Sequence, residues 1–217
     1  MAGPELSVIC LTQGGHSSIV AVARTMTEFA LAATVLWHLV DAGDPARMSP
    51  PVVQAAREGL AALGVRDGCS EVKLRLTLHG PVVIGVNPAA GGNLLAQVVG
   101  LASGADLAAE CAATALGLPV GSPDREYRSA VLEYVHAPAA GTVRRLEASG
   151  DLAGMSWVEQ MSWLVAPEDR LAFGAEEAPP CAGYVIVTSR DPQQCLVLAH
   201  RARATMRIDV EAVKLAT

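Results

Sequence analysis

Apolar and polar residues alternate without a fault from Glu71 to Leu78: Val72, Leu74, Leu76 and Leu78 are apolar, while Glu71, Lys73, Arg75 and Thr77 are polar. A period of two is the pattern of a strand with one face buried and one wet. His79, Gly80 and Pro81 make a turn, and Val82 to Val86 return as a second strand ending at Asn87, so an antiparallel hairpin is predicted. Upstream, the β-prone runs Leu6 to Leu11 and Ile19 to Ala23 flank Gln13, Gly14 and Gly15 and predict another hairpin. Phe29 to Val40 is apolar almost throughout, and periodicity leaves it open between strand and helix.

The period changes at Ser49, which is suited to cap, and Pro50, which suits a first helical position. Val53, Ala56, Leu60 and Leu63 then recur at helical spacing before Gly64, predicting a helix that ends at Leu63. After a loop from Pro88 to Gly92, Asn93 to Leu116 predicts two helices broken around Ser103 and Gly104, with Asp106 near the second N-terminus. Gly117, Pro119 and Pro123 close this part, so one region over 1–125 and a second lobe over 126–217, starting near Tyr127, are expected. The second lobe is expected to hold strands from Ser129 to His136 and near Thr142 to Leu146, then a middle rich in Trp and Met that the pattern leaves undefined. Strand Tyr184 to Thr188, a helix opened by Asp191 and Pro192 and reaching about Met206, and a closing strand Arg207 to Val210 follow. The acidic, proline-rich patch Glu176 to Pro180 reads as a loop.

The chain has 217 residues of which 51% are apolar, enough for a real core. Sixteen basic against twenty-two acidic residues give a formal charge of -6, which argues against nucleic acid or an anionic membrane as partner. A small neutral or zwitterionic ligand, or a protein, fits better. Met1 to Gln13 lacks the basic opening and apolar run of a signal peptide, so the mature protein is expected to start here. The longest apolar stretch, interrupted by Thr34 and His38, falls short of the roughly 20 residues of a membrane span. Five scattered cysteines, Cys10, Cys69, Cys111, Cys181 and Cys195, show neither a CxxC pair nor metal-ligand spacing and are expected to be reduced, mostly buried thiols in the cytoplasm.

The hairpin and loop, from Glu71 through Val86, Asn87 and Pro88 to Gly91 and Gly92, resemble the metal-binding hairpin of ATP-grasp ligases that join an amino acid carboxylate to an amine. Gly3, Pro4 and Glu5 with Ser7 and Val8 look like the strand opening the second half of that fold, and Leu101 to Leu107 like the helical region after the loop. Gly183, Tyr184 and Val185 with Asp191 and Pro192 resemble the family's C-terminal lobe. Nearly the whole chain is covered in order, and the implied fold class is α+β: the C-terminal half of the ATP-grasp fold, an antiparallel sheet with helices, plus a small α/β C-terminal lobe.

In that family ATP phosphorylates a carboxylate to an acyl phosphate, which an amine then attacks. Such chemistry uses Mg²⁺ held by hard oxygen ligands and a cation to offset charge on the phosphoryl group. The resemblance implies a Glu on the first strand, then Glu, one residue, Asn, Pro and Arg at the end of the second. Glu71 and Asn87 are in place, but the second Glu is Gly85 and the Arg is Ala89. Gly85 offers no side-chain oxygen, and loss of such a cation is worth roughly 10³ to 10⁵ in rate. Ile9 and Cys69 also stand where the family often carries Glu and His. The family places its N-terminal domain, phosphate flap and adenine-binding hinge ahead of the matched region, so no grip on ATP is expected within this chain.

The expected site is therefore a vestigial metal pair, Glu71 and Asn87, with Gly91 and Gly92 offering backbone N–H groups to an anion. Taken by pattern alone, Glu71 is a solvated carboxylate on a wet strand face, and Asn87 with Pro88 a strand-ending turn. His16, in a Gly-Gly-His-Ser-Ser turn, is a further ligand-facing candidate, although turn histidines ordinarily face water. No residue is assigned a catalytic role. Two functions follow: a ligase-like protein, inactive alone, serving as a binding or scaffolding partner, or one subunit of a split ATP-dependent carboxylate-amine ligase. A decayed remnant without activity is a third reading. No cofactor is expected for the chain alone, and ATP with Mg²⁺ if a partner chain completes it. Expected partners are a second copy or a ligase or biosynthetic protein, with no nucleic acid and no membrane.

Overall fold

The computed structural model describes residues 3–28, 33–89, 94–118, 128–174 and 177–212. Its elements in chain order are β1 (Glu5–Gln13), β2 (His16–Glu28), β3 (Thr34–Asp41), α1 (Pro50–Ala62), β4 (Gly68–Thr77), β5 (Gly80–Asn87), α2 (Leu95–Ser103) and α3 (Leu107–Ala115). There follow β6 (Ser129–His136), β7 (Gly141–Glu147), β8 (Val158–Trp163), β9 (Arg170–Leu171), β10 (Cys181–Ser189), α4 (Pro192–Thr205) and β11 (Arg207–Ala212). Eight strands form one sheet in the order β5-β4-β1-β2-β3-β6-β10-β8, and β11-β7-β9 form a second. Every described neighbour pair is antiparallel. With four α-helices among the described residues, the α+β class expected from the sequence is the class observed. The large sheet joins residues from both expected regions through β3 and β6, where Leu39 pairs with Val131.

Local chemistry accounts for most boundaries. Gln13 pairs with His16, leaving Gly14 and Gly15 as a two-residue turn at φ 58° and 83°, a left-handed pair that glycine adopts without strain. Ser103 ends α2 and Gly104 follows at φ 72°, its N–H donating to Gly100 O at 2.8 Å, which is the break the sequence predicts. The Asp106 carboxylate then caps α3 by accepting from Ala109 N, and Asp191 caps α4 by accepting from Gln194 N. β3 settles the described part of the segment left open, from Thr34 to Val40, as a strand whose backbone pairs with β2 on one side and β6 on the other; residues 29–32 of that segment lie outside the described residues.

Three expectations are corrected. Ser49 makes no side-chain cap; its N–H instead closes a 3-10 turn on Ala46 O, a turn anchored where Asp44 accepts two hydrogen bonds from Arg24. The buried face of α1 is Val52, Ala56 and Leu60, and Leu63, one residue beyond the helix, is 65% exposed. Leu78 is fully exposed in the turn after β4, because the strand ends at Thr77. Outside the sequence reading altogether, the undefined Trp and Met stretch supplies β8 and β9.

Both faces of the large sheet are covered. On one, α2 packs Leu95, Val98, Val99 and Ala102 onto Ile9, Val40, Leu132 and Ile186. On the other, α1 covers Leu6, Val8, Val72 and Leu74 at one end, and α4 covers Val131, Val185 and Val187 at the other. That double cover overturns the wet face expected for β4, since Glu71 is only 4% exposed. No single helix among the described residues is long and apolar enough to cross a membrane; α2 and α3 are apolar together but bend by 100°. All five cysteines are free, with Cys10, Cys69 and Cys195 buried and Cys111 and Cys181 half-buried. Burial pushes the Cys10, Cys69 and Cys195 thiols up to about 12, which removes their nucleophilic form at neutral pH.

Candidate functional site

β4 and β5 present two successive cross-strand pairs on the α2 face: Glu71 opposite Asn87, and Lys73 opposite Gly85. A bulge at Ile84 sets this arrangement, for the register passes from Lys73–Gly85 directly to Leu74–Val83. Val83 and Val86 therefore both turn toward Gly59 of α1, leaving Gly85 and Asn87 on the opposite face. On its other flank Glu71 faces Ile9, which is fully buried. A Cβ built on Gly85 would have the Lys73 Cβ, 4.0 Å away, as its one near neighbour.

Glu71, Lys73 and Asn87 line a cavity of about 580 Å³, walled by His38, Tyr134 and Tyr184 from the neighbouring strands and by Leu94 and Leu95 from the start of α2. Among the described residues neither the Glu71 carboxylate nor the half-buried Lys73 ammonium has a hydrogen-bond or ion-pair partner. Asn87 sits exposed at the rim.

The walls are held by hydrogen bonds and ring contacts. His38 Nδ1 lies 2.9 Å from Thr25 Oγ1, and its ring meets Tyr134 edge-on at 5.9 Å. Burial, helped by the nearby Lys73 charge, lowers His38 to about 4, so the imidazole is neutral at physiological pH. Burial also raises the Tyr134 hydroxyl above its ordinary range, with smaller contributions from Cys181 and from Glu71. Tyr184 Oη accepts from Gln160 Nε2 at 2.6 Å, and Gln160 Oε1 accepts from Gln97 Nε2 at 2.7 Å, tying β10, β8 and α2 together behind the cavity. His136 closes one side, its ring nitrogens turned onto the carbonyl oxygens of Val35 and Pro179.

A second cavity of about 570 Å³ adjoins the first, sharing Thr34, Tyr134, His136 and Pro179 with it, and is lined further by Trp37, Phe173, Glu133, His200 and Arg203. Glu133 is 8% exposed and its carboxylate accepts from His200 Nδ1 at 2.7 Å. Burial raises its carboxyl above the usual range, against the lowering effects of His200 and Arg203.

Of the residues singled out from sequence, Glu71 and Asn87 are brought face to face. Gly91 and Gly92 lie outside the described residues. His16 stands exposed at the β1–β2 hairpin tip and lines a separate depression of about 260 Å³, not the Glu71 cavity. Ala89 is exposed just past β5. Lys73, His38, Tyr134 and Tyr184 were not expected in the site. Lys73 was legible, because it shares the alternating polar face with Glu71 two positions away; the other three belong to strands that only tertiary pairing brings alongside. Among the described residues no group of three His, Cys, Asp or Glu side chains is placed to hold a metal ion.

No family model matches the chain. A curated relative, the uncharacterized protein y4rH of Sinorhizobium fredii, is 28% identical over 150 residues, covering 69% of this chain and 31% of that protein. Among solved structures, the L-amino acid ligase from Bacillus licheniformis superposes with a TM-score of 0.83 at 16% identity, over 96% of this chain and 52% of the ligase. The phosphoribosylglycinamide synthetase from Anaerococcus prevotii gives 0.77 at 13% identity, over 97% of this chain and 54% of that one. A biotin carboxylase from Campylobacter jejuni gives 0.66 at 14% identity, over 97% and 47%. The chain thus spans about half the length of these structures and about a third of the curated relative. Its α+β fold is the corresponding half of the ATP-grasp fold that these structures share.

Proposed function

We propose that this chain is an ATP-grasp ligase-like cytoplasmic protein that does not carry out ATP-dependent ligation unaided and serves as a small-ligand-binding or scaffolding partner. One observation carries the reading: the β4–β5 face offers a carboxylate and an amide, Glu71 and Asn87, with glycine at the third position and the Lys73 ammonium beside it. Mg²⁺ takes six oxygen ligands in near-octahedral geometry, usually keeping several waters but anchored by carboxylates and phosphates. Here Ile9 and Gly85 flank the pair without an oxygen to give, and a like charge stands next to the place a divalent ion would take. The residues present do not fit a nucleotide-bound Mg²⁺, and at Ala89 no cation offsets phosphoryl charge.

The test is release of ADP by the purified chain in Mg-ATP with mixed amino acids and amines. None above the rate without protein is expected. Amine-dependent release that disappears in Glu71→Ala would overturn the reading.

A second reading, one subunit of a split carboxylate-amine ligase, is favoured by the retained Glu71–Asn87 pair. It predicts that a chain co-purifying from the native source restores amine-dependent ADP release, again lost in Glu71→Ala. A co-purifying chain that binds without restoring turnover supports the scaffold instead.

A further inference from the structure

We propose that Cys69 and Cys111 form a reversible oxidation site, a thiol pair that a hydroperoxide closes into a disulfide linking β4 to α3; nothing in this depends on whether the chain takes part in ligation. Cys69 is the second residue of β4 and is buried in the cluster under α2, on the sheet face that carries Glu71 two residues further on. α3 packs onto β4 and β1. It turns Leu107, Cys111 and Thr114 inward, positions that 3.6 residues per turn place in one stripe. Cys111 is the middle of that stripe and packs into the same cluster as Cys69, and the two thiols meet side chain to side chain.

The remaining cysteines are turned elsewhere. The Cys10 thiol donates to Val8 O in the cluster under α1, Cys181 to Gly183 O at 3.2 Å, and Cys195 to Val187 O at 3.3 Å under α4. Backbone carbonyls occupy those three, whereas Cys69 and Cys111 have each other. Exposure sets the order of reaction. Cys111 is half-buried and within reach of a dissolved oxidant, while Cys69 is only 7% exposed, and burial, with the neighbouring Cys111 next, pushes its thiol up to about 12. The Cys111 sulfur therefore attacks the hydroperoxide first: the O–O bond breaks, an alcohol leaves (water, for hydrogen peroxide), and Cys111 becomes a sulfenic acid. The Cys69 sulfur then displaces that hydroxyl as water and the S–S bond forms. Two thiols and one hydroperoxide give one disulfide, one alcohol and one water.

The bond closes a loop that holds β5, α2 and the rest of β4, and with them Glu71, Lys73, Asn87, Leu94 and Leu95 of the cavity wall. Oxidation thus pins both ends of the segment that builds the α2-side cavity. The test uses the full chain, reduced with dithiothreitol, desalted and treated with hydrogen peroxide, then denatured, alkylated and mapped by proteolysis and mass spectrometry without reduction. The expected map shows one cross-linked peptide joining Cys69 to Cys111, with Cys10, Cys181 and Cys195 alkylated. The oxidised chain should melt about 5 °C or more higher, from closure of the long loop, and dithiothreitol should return it to the reduced value. Cys69→Ser should stop at a Cys111 sulfenic acid that dimedone traps, Cys111→Ser should form no cross-link, and Cys181→Ser should oxidise as the unaltered chain does. A cross-link between any other pair, or oxidation of Cys111 to sulfinic acid with Cys69 still free, overturns the proposal; so does a chain whose five thiols all stay alkylatable. Should a variant fail to fold, the peptide map of the unaltered chain decides by itself.

Discussion

Two buried glutamates on opposite faces of one sheet line two adjoining cavities of nearly equal size, which share Thr34, Tyr134, His136 and Pro179. Glu133, over the cavity of about 570 Å³, receives a hydrogen bond from His200 of α4. Glu71, over the cavity of about 580 Å³, receives none from any described residue. Both carboxylates are buried, and they differ in what the described residues supply to each. On the α4 side a helix delivers an imidazole; on the α2 side the helix delivers leucines, and the nearest cation, Lys73, lies on the same strand without closing on its neighbour. A polar group that the chain satisfies belongs to the scaffold.

The largest expected effect separating the two faces is acid sensitivity at His38. Its folded value is lowered to about 4 from an ordinary 6.5, so this histidine stays neutral in the folded chain while it protonates in the unfolded one. Its stabilising contribution is therefore intact above about pH 6.5, is lost as pH falls below that, and is gone below about 4, a swing on the order of 3 kcal/mol. Urea midpoints measured between those limits should show it, and in His38→Phe that part of the pH slope should vanish. If the slope persists in His38→Phe, another group carries it, and if the unaltered protein shows none, the α2-side wall is wetter than its geometry states.

A smaller effect comes from making the two sides alike. His200→Ala strips Glu133 of its hydrogen-bonded partner and should destabilise the chain at pH 7.5 by about 1–3 kcal/mol, read as a fall in Tm. An unchanged Tm would mean that Glu133 is as bare as Glu71 and would dissolve the contrast. The smallest effect has the opposite sign. Glu71→Gln removes a buried carboxylate that has no hydrogen-bond partner among the described residues and should raise the stability of the ligand-free chain by about 1 kcal/mol, roughly 2–4 °C in Tm. A loss of stability would reveal a partner for Glu71 within the chain.

Much of the local structure was legible from sequence. The alternation of β4, the helix break at Gly104 and the caps at Asp106 and Asp191 all depend on residues within a few positions of one another, and each appears where its chemistry places it; the turn expected on His79, Gly80 and Pro81 falls instead on Leu78 and His79, with Gly80 and Pro81 already paired in β5. The failures are of one kind. Leu78 and Leu63 counted as buried by periodicity, yet each lies just past the end of its element, where periodicity no longer acts. The bulge at Ile84 was invisible, because Val82 to Val86 reads equally well as an unbroken strand and only the packing of Val83 and Val86 against α1 selects the irregular register.

The site divides along the same line. By itself the sequence determined that Glu71 and Lys73 share a strand face and that Asn87 ends the returning strand, since a pleat of period two and a short turn leave no other arrangement. Whether that face was wet or buried was decided only in three dimensions, by α2 arriving from beyond residue 94 and by β3, β6 and β10 lining up across the sheet to bring His38, Tyr134 and Tyr184 alongside. Periodicity reports which residues point the same way. What they point at depends on contacts between residues far apart in the chain, and those contacts turned an expected surface carboxylate into a buried one lining a cavity.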